Sequence, residues 1–194
     1  MTATLLLLAA GSSSRMKGRD KLLEDMGGEP LLRLMARRAT KAGVPVRVVL
    51  GPAQDARRAA LDGLAVEIVE ATGTDGMAAS IRAGVAGLAG PVLVALADMP
   101  EITAQDLYLM LSLGAQSPGT ILRAATQDGR PGNPVLFPAD LVPELAQLTG
   151  DAGARDILKR EAARVALLPL QGDRAAVDLD TPEDWAAWRA RRGG

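Results

Sequence analysis

Leu5-Leu6-Leu7-Leu8-Ala9-Ala10-Gly11-Ser12-Ser13-Ser14-Arg15-Met16-Lys17-Gly18-Arg19-Asp20-Lys21 is the stretch from which the fold of this chain is read. An uncharged apolar run stops at a turn of small residues, and the turn opens into a loop rich in cations. Ala9, Ala10 and Gly11 put little or no side chain between the backbone and a ligand. Ser12, Ser13 and Ser14 add hydroxyls, and successive amides in such a turn can form an anion-binding nest. Arg15, Lys17, Arg19 and Lys21 against Asp20 leave the loop at net +3. That is a place to hold a polyphosphate. On local composition alone, a buried strand followed by an ordinary solvated basic turn is the alternative.

Outward from this stretch, strand-like runs alternate with helix-like segments. Residues 4–8 are the first strand, and 30–42 follow as a helix with Leu31, Leu32, Met35 and Ala39 as its apolar stripe. Strands are expected over 44–50, 65–69 and 92–96, with helices over 53–61 and 77–88 between them. Thr103 caps a helix running to about residue 114, with Asp106 completing a relative of the capping box. This alternation predicts βαβ units and an α/β, Rossmann-like, doubly wound and mostly parallel sheet. Right-handed crossovers put the carboxyl ends of the strands on one edge, where such folds bind ligands.

The second half is less regular. Strands are expected over 120–125 and 135–137, joined by a Gly/Pro-rich turn, with helices over 139–148 and 154–163. Residues 165–169 and 175–179 are expected as short strands. Thr181-Pro182-Glu183-Asp184 is a helix start, with Thr181 as the cap and two acids facing the positive end of the helix dipole.

The chain of 194 residues has a formal charge of -1, which argues against a general nucleic-acid binder. With one Phe, one Tyr and two Trp it offers no platform for stacking bases. No apolar run is long enough to cross a bilayer, and residues 5–10 lack the length and the basic flank of a secretion signal. A cytoplasmic protein without a membrane partner is expected. The absence of cysteine excludes disulfides and thiolate chemistry, and the absence of histidine removes imidazole bases and the usual zinc ligands. Catalysis must run on carboxylates, cations, hydroxyls and oxygen-bound metal. That set suits phosphoryl or nucleotidyl transfer, where positioning and charge neutralisation dominate the barrier. A phosphate nucleophile is already ionised at pH 7 and needs no base.

Several residues are candidates for that chemistry. Asp98 ends the run 92–97 and is a natural Mg²⁺ ligand at a strand's carboxyl end; capping the next turn is the alternative, although Thr103 already serves nearby. Asp178 and Asp180 share one face if their segment is extended, and could complete a metal site or simply precede the capped helix. The loop from Thr72 to Ser80, with Thr74, Gly76 and Ser80, runs into a helix start whose amides could meet a base edge or a phosphate. Arg130-Pro131-Gly132-Asn133-Pro134 is read first as a rigid structural turn that touches the acceptor at most. Neither G-x-x-x-x-G-K-[ST] nor G-x-G-x-x-G occurs, so neither a Walker-type NTPase nor a standard dinucleotide turn is supported.

Leu8-Ala9-Ala10-Gly11-x-Ser13-x-Arg15-Met16 with downstream Lys21 resembles the signature of MobA-like nucleotidyltransferases, with the molybdenum-cofactor cytidylyltransferases nearest. The resemblance continues through Asp98-Met99-Pro100, Gly132-Asn133-Pro134-Val135-Leu136-Phe137, Gly150-Asp151-x-Gly153-Ala154-Arg155 and Asp178-Leu179-Asp180-Thr181-Pro182-Glu183-Asp184. It implies the nucleotide-diphospho-sugar transferase type of fold and one nucleotidyltransferase domain over residues 1–194. Its nucleotide-binding half would span about 1–115, and the half that binds the acceptor about 116–194.

By that likeness a nucleoside monophosphate is transferred with Mg²⁺ to a phosphorylated acceptor, and pyrophosphate leaves. Leu8, Ala9, Ala10, Gly11, Ser12 and Ser13 would bind the nucleotide together with Thr74, Gly76 and Ser80. Arg15 and Lys21 would hold the triphosphate. Asp98 would bind Mg²⁺, with Asp178 as the second carboxylate and Asp180 as its alternative. Gly132 and Asn133 would meet the acceptor, which the resemblance makes a molybdopterin. The Ala9-Ala10-Gly11 form resembles that of cytidylyltransferases, whereas guanylyltransferase relatives more often carry glycine in place of Ala10, so CTP is the expected donor. Guanylyl transfer, or transfer to a sugar or polyol phosphate, is the enzymatic rival. A nucleotide-binding accessory protein for molybdoenzyme maturation, with a molybdoenzyme or its chaperone as partner, is the rival from another class. Two departures stand out: Asn133 occupies a position where the family usually has His, and the basic loop carries one more residue before Gly18.

Overall fold

The structure is a computed structural model that describes residues 2–73, 76–150 and 153–192. Its centre is β1 (Thr4–Leu8), every residue of which is buried. A strand covered on both faces reads as an unbroken apolar run, which is why the leucines do not alternate with polar residues. β1 pairs in parallel with β2 (Val46–Leu50) on one side and β4 (Val92–Leu96) on the other, and β3 (Glu67–Glu70) extends the β2 side. Beyond β4 the direction reverses. β6 (Pro131–Phe137) is antiparallel to both β4 and β5 (Ile121–Ala125), and β7 (Val165–Pro169) runs parallel to β5. The seven-stranded sheet therefore has the order β3-β2-β1-β4-β6-β5-β7. The expected mostly parallel, doubly wound architecture is present.

The helices are α1 (Leu31–Thr40), α2 (Asp55–Ala60), α3 (Gly76–Val85), α4 (Ala104–Gln116), α5 (Val142–Leu145), α6 (Arg155–Arg160) and α7 (Pro182–Arg192). Strand alternation sorts the core into two layers. Leu5 and Leu7 join Leu32 and Met35 of α1, Met110 of α4, and Trp185 and Trp188 of α7 on one face. Leu6 and Leu8 join Ile81 and Val85 of α3, Leu145 of α5 and Ile157 of α6 on the other. The Thr103–Asp106 capping box forms with both reciprocal bonds, at 3.1 and 2.8 Å. Thr181 and Asp184 make the same exchange at the start of α7, at 3.1 and 2.9 Å.

Two expected strands depart from the sequence expectation, and the helices expected over 139–148 and 154–163 shorten to α5 and α6 with 3-10 turns beside them. β6 begins at Pro131 rather than at residue 135, so the turn before it shrinks to a hairpin closed by Thr126 N–H on the Arg130 carbonyl at 2.9 Å. Residues 175–179 form no strand. Arg174–Ala176 is a 3-10 turn, and Leu179 N–H makes a single 3.1 Å bond to the Asp98 carbonyl. The cause is close packing: a Cβ on Gly132 would lie 1.9 Å from the Ala175 carbonyl oxygen. The segment lies on top of β6 at that point, not beside a strand it could pair with.

The chain passes from β1 outward to β2 and β3, then returns to lay β4 on the other flank of β1. The reversal opens a crevice beyond the carboxyl ends of β1 and β4, and Ala9–Gly11 and Asp98 leave the sheet there.

Candidate active site

The end of β1 is tied to its neighbours before the loop departs. Ala9 N–H donates to the Val49 carbonyl at 2.9 Å, and Ala97 N–H donates to the Leu8 carbonyl at 3.1 Å. Above these bonds lies a cavity of about 460 Å³, within the size range of small-molecule sites. Leu8, Ala9, Ala10, Gly11 and Ser12 form one wall, and Gly76, Met77, Ala79 and Ser80 at the start of α3 form another. Lys21, Leu96 and Asp98 close one end. Nine of the residues expected to bind nucleotide thus share one cavity: Leu8, Ala9, Ala10, Gly11, Ser12, Lys21, Gly76, Ser80 and Asp98. Thr74 falls outside the described residues. Ser13 and Arg15 do not line the cavity.

Charges distant in sequence converge at that end. The Lys21 ammonium donates to Asp98 Oδ2 at 2.5 Å and to Asp180 Oδ1. Arg15 Nη1 donates to the other oxygen of Asp180 at 2.7 Å, and Lys17 pairs with Glu183 at 3.0 Å. Burial disfavours the Lys21 charge, but the Asp98 charge and the hydrogen bonds to Asp180 and Asp98 outweigh it. Its pKa is raised, so Lys21 is an ammonium throughout the neutral range. Asp178 is pushed the other way. Burial first, and then repulsion from Asp98 and Asp180, raise its pKa.

The site's acids suit a hard cation. Asp98 Oδ1 is buried and has no hydrogen-bond partner. Such an oxygen costs free energy unless something binds it. Among the described residues no three acidic side chains are grouped closely enough to hold a metal ion by themselves. Mg²⁺ needs no such cage, because it is commonly held by one or two carboxylates and by the phosphates of its substrate. Both oxygens of Asp180 are already engaged by Lys21 and Arg15.

The loop is braced from behind by residues that were not among the sequence candidates. Arg57 of α2 is only 2% exposed. Its guanidinium donates to the Ala9 carbonyl, to Ser13 Oγ at 3.0 Å, and to the two oxygens of Asp20 at 2.8 and 2.6 Å. Asp20 also accepts from Ser13 Oγ at 3.1 Å and from Leu22 N–H at 3.0 Å, capping the 3-10 turn Lys21–Leu23. Burial alone would raise the Asp20 carboxyl, but the bonds from Arg57 and Leu22 hold it below the usual carboxylate range. Ser13 sits in the left-handed region at φ 52, and its hydroxyl accepts from Lys21 N–H at 3.3 Å. Ser13 thus shapes the loop from inside. Gln54 adds a second brace, donating to the Ala10 carbonyl at 3.1 Å while accepting from Gly51 N–H at 2.8 Å.

Gly132 and Asn133 lie at the start of β6, beside the end of β4 but outside the cavity lining. The Gly132 carbonyl accepts from Arg123 Nε at 3.0 Å.

Residues 5–165 match the MobA-like NTP transferase domain. The chain belongs to that family. The MobA-like chain is 32% identical over 192 residues to nicotine blue oxidoreductase of Paenarthrobacter nicotinovorans, with 93% of each chain covered. It is 31% identical to molybdenum cofactor guanylyltransferase of Pseudomonas aeruginosa (strain LESB58), covering 93% of this chain and 91% of that one. Among solved structures, Rv0371c of Mycobacterium tuberculosis H37Rv superposes with a TM-score of 0.80 at 29% identity, over 97% of this chain and 98% of that one. The structure of Rv0371c in complex with manganese aligns at 28% identity with a TM-score of 0.75, covering 96% and 97% of the two chains, so a relative holds a divalent metal. No helix among the described residues is long and apolar enough to cross a membrane.

Proposed function

We propose that this MobA-like protein is a Mg²⁺-dependent nucleotidyltransferase that moves CMP from CTP onto a phosphorylated acceptor of the molybdopterin type and releases pyrophosphate. One observation carries this: Lys21 meets Asp98 at one end of a cavity walled by Leu8–Ser12 and the start of α3, and through Asp180 it is joined to Arg15 outside the lining. The small-residue wall takes base and ribose against backbone, and the cationic end takes the triphosphate. Mg²⁺ would be held by Asp98, through its unpartnered oxygen, and by Asp178, which no cation among the described residues contacts directly. When bound it supplies neutralisation of phosphate charge. Lys21 and Arg15 orient the triphosphate from the loop side. An oxygen of the acceptor phosphate then bonds to the α-phosphorus as the bond to the bridging oxygen breaks, and pyrophosphate departs. No residue need accept a proton, which fits a site without histidine.

The Cβ of Ala10 in the cavity wall leaves less room for a purine than glycine would, which supports CTP over GTP. The guanylyltransferase relative supports the rival choice of GTP. Titration calorimetry with Mg-CTP and Mg-GTP, followed by pyrophosphate release with a molybdopterin acceptor, decides between them. Tighter binding of GTP would overturn the choice of pyrimidine, and no pyrophosphate with any nucleoside triphosphate would overturn the activity. A second possibility rests on the relative named as an oxidoreductase, which matches over 93% of both chains. Turnover of nicotine blue in the absence of nucleoside triphosphate would favour it.

A further inference from the structure

Arg123 and Arg155 have no part in the site described above. Arg123 lies in β5, and the register sets Val94, Val135 and Arg123 side by side across three strands. Strands are spaced about 4.8 Å apart, so Arg123 stands roughly 10 Å from β4, whose end carries Asp98. Val94 and Val135 belong to the core layer beneath α3, and alternation puts the Arg123 side chain on that same face as the cavity. The hydrogen bond to the Gly132 carbonyl draws its guanidinium toward the edge of the sheet where β4 ends.

Arg155 approaches from the opposite element. It opens α6, and its neighbour Ala154 packs in the same core layer as Val135. Gly153 packs against the cavity wall, since a Cβ there would lie 2.8 Å from Sδ of Met77, a lining residue. Among the described residues neither arginine has an acidic partner within ion-pairing reach, and Arg155 is exposed. Burial, and then the charge of Arg155, press the Arg123 pKa downward. An anion bound between the two would relieve the repulsion of one guanidinium by the other.

We infer that Arg123 and Arg155 form the subsite for the acceptor's phosphate group, placed one strand beyond Gly132 and Asn133. The inference deepens the nucleotidyltransferase reading and rests on it. Two anions must be brought together in that reaction. The loop cations serve the triphosphate, and this pair serves the phosphate whose oxygen bonds to the α-phosphorus. Paired guanidinium groups match the planar, multidentate geometry of phosphate recognition.

The test uses the full chain saturated with Mg²⁺ and a non-hydrolysable CTP analogue, titrated with phenyl phosphate as the probe. Wild type is expected to bind the probe. Arg155→Gln and Arg123→Gln should each weaken it by roughly tenfold, the scale of one charge-assisted hydrogen bond, while affinity for the CTP analogue stays unchanged. Arg155→Lys should recover part of the loss. Because Arg155 is exposed, its variant should fold even if the Arg123 variant does not. Undiminished probe binding in Arg155→Gln, or no binding by wild type, would overturn the subsite. If the CTP analogue fails to bind while phenyl phosphate still requires both arginines, the nucleotide assignment falls and the anion subsite stands.

Discussion

Replacing Arg57 by Ala tests whether the phosphate loop is held from behind. The guanidinium is almost wholly buried and spans the Ala9 carbonyl, Ser13 and both oxygens of Asp20. Removing one partner of a buried ion pair costs about 3–5 kcal/mol, because the other charge is left uncompensated. Asp20 is 29% exposed at its side chain, so water reaches it and the lower end of that range applies. A loss of about 3 kcal/mol, with a urea m-value of about 2.5 kcal/mol/M for a chain of this size, lowers the unfolding midpoint by roughly 1.2 M. Urea titration followed by the fluorescence of Trp185 and Trp188 measures it, since both are buried in α7. The double variant Arg57→Ala with Asp20→Ala should lose less than the sum of the two single losses, by about 1–3 kcal/mol. A drop below 1 kcal/mol in Arg57→Ala, or strict additivity in the double variant, would refute the brace.

Three further outcomes are expected. Lys21→Ala and Asp98→Ala should each reduce nucleotidyl transfer by roughly 10²–10³, the scale of one preorganised electrostatic group, with circular dichroism unchanged; turnover near wild type would remove them from the site. Gly132→Ala drives a Cβ against the Ala175 backbone and should cost about 1–3 kcal/mol, seen as a melting temperature lower by several degrees, whereas an unchanged melt would mean that the segment yields freely. The depressed Asp20 carboxyl binds protons more weakly in the folded protein than in the unfolded chain. Its contribution to stability is complete above the unfolded value near 4 and is lost as pH falls through the folded value. Asp20→Asn should therefore flatten the acid limb of the stability profile, and an unaltered limb would count against the Arg57–Asp20 pair.

Much of the frame was legible because burial on both faces leaves an unmistakable trace. The runs at 4–8 and 92–96 emerged with the boundaries of β1 and β4; the run at 165–169 matched β7 as well, although that edge strand is largely exposed. β6 was half hidden, since Pro131, Gly132 and Pro134 read as a turn even though the hairpin places them in a strand. The site's halves could be named but not joined by spacing: Lys21 reaches Asp98 across 77 residues and Asp180 across 159. Only the strand order, or a family likeness, brings them together. Arg57 was invisible for a different reason. It stands beside Arg58 in a short charged helix, and nothing in the sequence says that one arginine turns inward while the other pairs with Glu70 at the rim.

The acid that grips Lys21 and Arg15 belongs to the segment that leads into α7. Asp180 is set in place by the Thr181–Asp184 cap, and the helix behind it is anchored by Trp185 and by Trp188, whose indole N–H donates to Glu101 at 3.0 Å. A nascent chain on the ribosome can therefore assemble its sheet from β3 to β4 while Lys21 and Arg15 still lack the Asp180 carboxylate. A cut between β7 and α7 would part Asp180 from the two cations it joins, which lie 165 and 159 residues earlier in the chain.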